Sequence, residues 1–159
     1  MNKPTISETV VPSDTALKLK QKGFDWKIAS FYEYTHVTPA IPNGLLSGYY
    51  FHHRSYVAYS NSEWAKNAAE FKVALCKHID ASHPPISAPT YDMVIDWLLE
   101  KGFYVHAERG KRNQFYGVCE DIQAGAVAIH QGYTSYSRYT ALNWGILYAL
   151  GKMNDIKQK

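Results

Sequence analysis

The sequence has few cysteines and no long apolar run, and these absences narrow the classes of protein that it can represent. Only Cys76 and Cys119 occur in 159 residues, which fits a reducing compartment better than a disulfide framework, although two cysteines can still pair. No apolar run approaches the roughly 20 residues of a membrane-spanning helix, and the first residues lack the apolar core of a signal peptide. We therefore expect a cytoplasmic protein that has no membrane partner.

Charge is scarce as well, whereas aromatic residues are plentiful. Lys and Arg outnumber Asp and Glu by 17 to 14, and the resulting net charge of +3 is too mild to indicate nucleic acid or an anionic surface by itself. The chain has 13 Tyr, 6 Phe and 4 Trp. Tyrosine suits half-buried sheet faces and recognition surfaces alike, and sheet packing is the commoner reason for such enrichment.

Length and composition predict one α+β domain with three to four helices packed on an antiparallel sheet. A chain with 46% hydrophobic residues can bury a single core of ordinary size. We expect a flexible tail over residues 1–12, the domain over 13–153 and a basic tail over 154–159. The proline-rich link ASHPPISAP is also typical of a hinge, but neither side of it is long enough for a comfortable domain.

Apolar periodicity predicts the helices. The first covers about 14–22, with Ser13 as N-cap and Gly23 as its end, the second lies in NSEWAKNAAEFKVALCKHID, and the last opens at Ser137.

The clearest helix begins at the cap residue Thr90 and ends at Gly102. Its pattern buries one face and exposes the other. We expect Val94, Ile95 and Leu98 in the core, and Asp92 and Asp96 in solvent.

Strand formers dominate the remaining segments. The stretch from Phe24 to Tyr34 is a strand or an ordered loop, and 38–48 is a turn-rich loop. We expect GYYFHHRSYVAYS to form two strands that turn at His52–Arg54. FYVHAER and QFYGVCED form a hairpin around 110–113, and AVAIH adds a strand.

Two segments repeat one short pattern: Ala16–Trp26 and Ile95–Val105 share Leu-x-x-Lys-Gly-Phe. Each is predicted to be a helix that leaves through a glycine cap into an aromatic strand.

With these segments the chain resembles a family of small uncharacterised proteins encoded by bacteriophages and prophages of gut anaerobes. The similarity lies in Ala16–Phe24, in Ala88–Gly102 and in Ser135–Lys152, while 35–85 is longer than in typical members. Because the family has no established activity, the resemblance implies a phage or prophage accessory protein and no catalytic residue.

Residues that could do chemistry are few and poorly arranged. Cys76, His78, Asp80 and His83 lack the paired spacing of structural zinc sites.

Two further groups are equally unsuited to chemistry. His52 and His53 are neighbours that a strand points to opposite faces, and a solvated turn is the default reading for them. Cys119 lies beside Glu120 and Asp121, whose charges raise a thiol pKa, so a core role is expected.

No catalytic motif occurs: G-x-G-x-x-G, the P-loop, the nucleophile elbow and H-E-x-x-H are all missing. We therefore predict no catalytic residue, no metal and no cofactor. A small hydrolase or nucleotide-binding enzyme remains the third alternative.

Two candidate surfaces remain. For nucleic acid, the basic hairpin tip Arg109, Lys111 and Arg112 would meet phosphates, and Tyr104 and Tyr116 would stack on bases.

For a protein partner, the candidates are Tyr133, Tyr136, Arg138 and Tyr139, since these residue types are enriched in interfaces. The leading hypothesis is a noncatalytic module that binds a protein or associates with itself. A nucleic-acid-binding module is the alternative.

Overall fold

The structure, a computed structural model, is an α+β fold, as the sequence predicts. It describes residues 10–35, 48–66, 82–129 and 137–154. Four α-helices lie within these ranges: α1 (Ser13–Gln21), α2 (Asn61–Lys66), α3 (Tyr91–Glu100) and α4 (Arg138–Lys152). The strands are β1 (Ile28–Thr35), β2 (Gly48–Tyr59), β3 (Ile86–Ser87), β4 (Phe103–Arg109), β5 (Phe115–Asp121) and β6 (Ala126–Ile129).

The chain divides into two compact units, each with its own antiparallel sheet. The N-terminal unit comprises Pro12–Lys20 and Phe24–Pro89, and the C-terminal unit comprises Met1–Val11, Gln21–Gly23 and Thr90–Lys159. The described strands form a sheet of order β2-β1-β3 in the first unit and β4-β5-β6 in the second. Helices packed on antiparallel strands are thus confirmed, with the strands shared between two sheets.

A buried asparagine ties the helix of the N-terminal unit to its surroundings. Asn61, at the start of α2, donates a hydrogen bond to the Phe24 carbonyl (2.8 Å) and accepts one from the Ser87 amide (2.9 Å). Because both polar ends of the amide are satisfied, its burial carries no desolvation penalty of an unpaired group. Trp64 on the same helix is buried against Phe31, with ring centroids 4.8 Å apart.

The predicted turn at His52–Arg54 is wrong, because β2 is one continuous strand there. His52 pairs with Tyr32 and His53 with Phe31, and each histidine ring also packs on the ring of its partner. These cross-strand contacts stabilise an extended backbone through a polar triplet that is typical of turns. The two histidines do point to opposite faces of the sheet, as alternation requires.

Helix α3 is the helix that the sequence describes best. Thr90 caps it by accepting a hydrogen bond from the Met93 amide (3.4 Å). Val94 and Leu98 are buried, and Asp92 and Asp96 are exposed. The predicted register is confirmed, and Ile95, expected in the core, is half-buried.

Both copies of the Leu-x-x-Lys-Gly-Phe pattern end a helix in the same way. Gly23 and Gly102 have φ angles of 92° and 89°, a left-handed conformation that favours glycine. The phenylalanines that follow them, Phe24 and Phe103, are buried. The repeated pattern is therefore a helix end joined to a buried aromatic anchor.

Helix α4 packs directly onto the backbone of β5 through two glycines. A Cβ atom on Gly117 would lie 2.2 Å from the Ala141 carbonyl oxygen, and one on Gly145 would lie 2.7 Å from Val105 Cγ1. Ser137 caps the helix by accepting from the Thr140 amide (3.4 Å), as predicted. Helix and sheet touch here with no side chain between them.

The α3 register leads to a stability prediction with a neighbouring control. Leu98→Ala should lower the free energy of unfolding by about 2 to 5 kcal/mol, because it leaves a cavity in the core. Leu99→Ala should cost less than about 0.5 kcal/mol, because Leu99 is 47% exposed. Urea denaturation followed by circular dichroism measures both, and equal losses would contradict the register.

Candidate functional site

The basic hairpin tip is closed by its own backbone. After β4, Gly110 donates to the Gln114 carbonyl (2.7 Å), and Lys111–Asn113 form a single 3-10 turn. Arg112 and Asn113 take left-handed φ angles of 60° and 58°, which reverse the chain into β5. The predicted hairpin is confirmed, with a turn that presents its charges to solvent.

The residues predicted to bind nucleic acid do not share one surface. Tyr104 and Glu108 alternate with Arg109 along β4, and Tyr116 pairs with Glu108, so the two tyrosines lie on one face and Arg109 on the other. The Arg109 guanidinium donates to the Asn113 side chain. Only the tyrosines are brought to a common face.

That common face carries a fixed negative charge. We call it the outer face, since the opposite side of the sheet packs on α4; on it lie Tyr104, His106 and Glu108 of β4 and Tyr116 of β5. The Tyr116 hydroxyl donates to Glu108 Oε2 (2.8 Å), and His106 Nε2 lies 3.1 Å from Glu108 Oε1.

These contacts define the electrostatics of the outer face. The hydrogen bond from Tyr116, and then that from His106, lower the pKa of Glu108, while the same carboxylate raises the pKa of Tyr116. The carboxylate is thus ionised among the rings. A phosphate stacked beside Tyr104 would be repelled by it.

The tyrosine-rich protein-binding candidate lies partly outside the described residues. Tyr133 and Tyr136 belong to that part, and Arg138 is exposed at the start of α4. Tyr139 is half-buried and its ring packs on Tyr91 of α3, at 5.1 Å between centroids. In this position Tyr139 contributes to packing of the C-terminal unit.

The most exposed apolar feature of this unit is its edge strand, β6, whose binding role the sequence analysis did not foresee. Val127 is 59% exposed and Ile129 is 45% exposed, and both lie on the outer face because they pair with Glu120 and Val118 of β5. Within the described ranges, no strand pairs with the other side of β6. We call this side, over Ala126–Ile129, the β6 edge.

An apolar groove runs beside the β6 edge on the side of α4. It has a volume of about 180 Å³, and its lining includes Ala126 and Ala128 of β6 and Tyr148 and Lys152 of α4. Lys152 Nζ lies 5.3 Å from the centre of the Tyr148 ring. The small alanines leave the space above the strand open.

A second exposed feature belongs to the N-terminal unit. Between the pairs Ser30–Arg54 and Ile28–Tyr59, β2 has four residues where β1 has one, so the strand bulges outward. Ser55 is buried and its hydroxyl bonds to the Val57 backbone, while Tyr56 is fully exposed. The bulge presents one tyrosine on a short, locally hydrogen-bonded segment.

The residues suited to metal or nucleophilic chemistry are not assembled into a site. No group of His, Cys, Asp and Glu in the described ranges is placed to hold a metal ion; Cys76, His78 and Asp80 lie outside them. His83 stacks on Tyr34, with centroids 3.8 Å apart. His53 Nε2 lies 2.8 Å from Glu33 Oε2, which is an ordinary cross-strand ion pair.

Cys119 is a core residue, as predicted from its neighbours. Burial, and then the charges of Asp121 and Glu120, raise its pKa to about 11. A thiol in this state is a poor nucleophile.

Comparison with other proteins adds no assignment. The sequence matches no protein-family model, no characterised protein and no solved structure. Among the described helices, none is long and apolar enough to cross a membrane. The candidate surfaces therefore rest on the structure of this chain alone.

The burial of Cys119 gives a labelling prediction. In a Cys76→Ser variant, which removes the other thiol, Cys119 should remain unmodified by iodoacetamide at pH 8, because it is buried and its pKa is about 11. Adding denaturant should restore the labelling rate of a free thiol. Mass spectrometry over time measures both rates, and rapid labelling of the folded chain would show that the thiol is reactive.

Proposed function

We propose that this chain is a noncatalytic protein-binding module and that it binds through the β6 edge. One observation carries the proposal: an uncharged apolar strand, with Val127 and Ile129 exposed, ends the sheet with its outer side unpaired among the described residues. An open strand edge offers backbone N–H and C=O groups to another polypeptide. Nucleic acids have no matching backbone.

The groove beside the edge supports the same function. In strand addition, main-chain hydrogen bonds give affinity, and pockets for alternate side chains give specificity. The groove between β6 and Tyr148 is such a pocket, because a strand added at the edge would point every second side chain to the α4 side.

The setting of this function is part of the proposal. The two cysteines support a reducing, cytoplasmic location. The three segments that resemble phage and prophage proteins support the role of an accessory protein.

The proposed function is tested by charging the edge. Val127→Lys should abolish retention of partner proteins on immobilised protein in a host extract, because a lysine on an edge strand opposes pairing. Ile122→Lys is the matched control: Ile122 is 57% exposed, compared with 59% for Val127, but lies in the turn before β6. We expect wild type and the control to retain the same proteins.

Retained proteins are compared by quantitative mass spectrometry, and melting curves confirm that both variants fold. If the two lysine variants retain the same set of proteins as the wild type, the β6 edge is not the binding surface.

Nucleic acid is the second candidate, and one observation favours it: Tyr104 is 42% exposed and stacks on His106 beside the basic tip. Replacing Arg109, Lys111 and Arg112 by Ser should then weaken binding to a single-stranded oligonucleotide. The slope of log affinity against log salt should fall by about three, one for each lost cation.

Fluorescence anisotropy at low and moderate salt measures this binding. The control variant replaces Lys18, Arg54 and Lys66, which are exposed, and so removes the same net charge elsewhere. A wild type that binds no oligonucleotide at low salt, where attraction is strongest, would remove this candidate.

A further inference from the structure

We propose that the β6 edge binds a second copy of this chain, with the two β6 strands paired antiparallel about a two-fold axis at Ala128. The inference rests on the proposed function and names its partner. A two-fold interface requires a patch that is complementary to itself. The composition of the edge and its strand register meet this requirement.

Charge is the first argument. The segment from Ile122 to Ile129 contains no charged residue, although the chain as a whole carries +3. Two copies that meet here bring no like charges together. Elsewhere on a chain of one net sign, self-contact tends to oppose like charges.

The register is the second argument. A two-fold axis perpendicular to the sheet keeps the outer face of both copies on the same side, so each residue pairs with one from the same face, and the axis passes through a residue. At Ala128, Val127 of each copy lies opposite Ile129 of the other. Both exposed side chains gain an apolar neighbour, which is the stabilising unit of a sheet.

The alternative axis, at Val127, is disfavoured. It would place Ile129 opposite Gly125, which lies in the turn with a φ angle of 64° and cannot continue the strand. At Ala128 the residue that meets its own copy is instead a small one.

The groove is the third argument. Ala126 and Ala128 point to the side of α4, so in the pair the grooves of the two copies lie side by side across the axis. Each groove contains Asp121 and Lys152, one charge of each sign, and Tyr148 borders it. The joined grooves are therefore neutral and apolar at their floor.

The other edge of the sheet explains why assembly stops at two copies. β4 is that edge, and it carries His106, Glu108 and Arg109, residues of the kind that block edge pairing. Pairing β6 on β4 of the next copy would build an open fibre and set charges against apolar side chains. Pairing β6 on β6 uses both open edges and leaves only charged ones.

Mass measurement tests the pairing in solution. Light scattering of the wild-type chain should give twice the monomer mass of 18.1 kDa at high concentration and the monomer mass on dilution, because a four-residue strand is a small contact. Val127→Lys should raise the dissociation constant at least about tenfold, and Ile122→Lys should leave it unchanged. A wild-type mass of 18.1 kDa up to the solubility limit would overturn the proposal.

Cross-linking tests the register. In the Cys76→Ser background, Ala128→Cys should form a disulfide-linked dimer under diamide oxidation, since paired residues have Cα atoms about 4.5 to 5.5 Å apart and disulfides span about 4.4 to 6.8 Å. Ile122→Cys should stay monomeric on a non-reducing gel. Equal cross-linking of the two variants would overturn the placement of the axis.

The outcomes separate this inference from the proposed function. A monomeric wild type that still captures another protein, with capture lost in Val127→Lys, would overturn the second copy and leave the protein-binding function in place. A monomer that captures nothing through Val127 would overturn both.

Discussion

The contact of α4 with the backbone of β5 is the constraint on which the C-terminal unit depends. Since a Cβ on Gly117 would lie 2.2 Å from the Ala141 carbonyl, the helix can approach this closely only over a glycine. Its position over β5 and β4 buries Val105 and Cys119. The same position leaves β6 beside the helix, so the close contact that builds the core also creates the groove and the open edge.

Local signals account for the parts of the fold that the sequence predicts. Thr90, Gly102 and the spacing of Val94 and Leu98 define α3 without reference to any other segment, and the hairpin is likewise local. β2 fails because its extended form depends on β1: His52 reads as part of a turn until Tyr32 is known to lie opposite it. Pairing partners distant in sequence override local preference, and no local pattern contains them.

The site was harder to predict than the fold for the same reason. AVAIH was identified as a strand, but a short apolar strand is most often buried, and its exposure follows from strand order. The stretch without charge from Ile122 onward was the available signal. Alternation would also have separated Arg109 from Tyr104, because residues an odd number of positions apart on a strand face opposite ways.

The abundance of tyrosine is largely explained by packing, and this bears on how the protein recognises a partner. Among the described residues, Tyr34 stacks on His83, Tyr91 packs on Tyr139, and Tyr59 packs on Trp64. Rings engaged in this way hold the sheets and helices together and leave few aromatic anchors for a partner. Recognition through the β6 edge depends instead on backbone pairing, whose specificity comes from register. The groove beside Ala126 and Ala128 then has a second role, because it favours the register that places a suitable side chain above it.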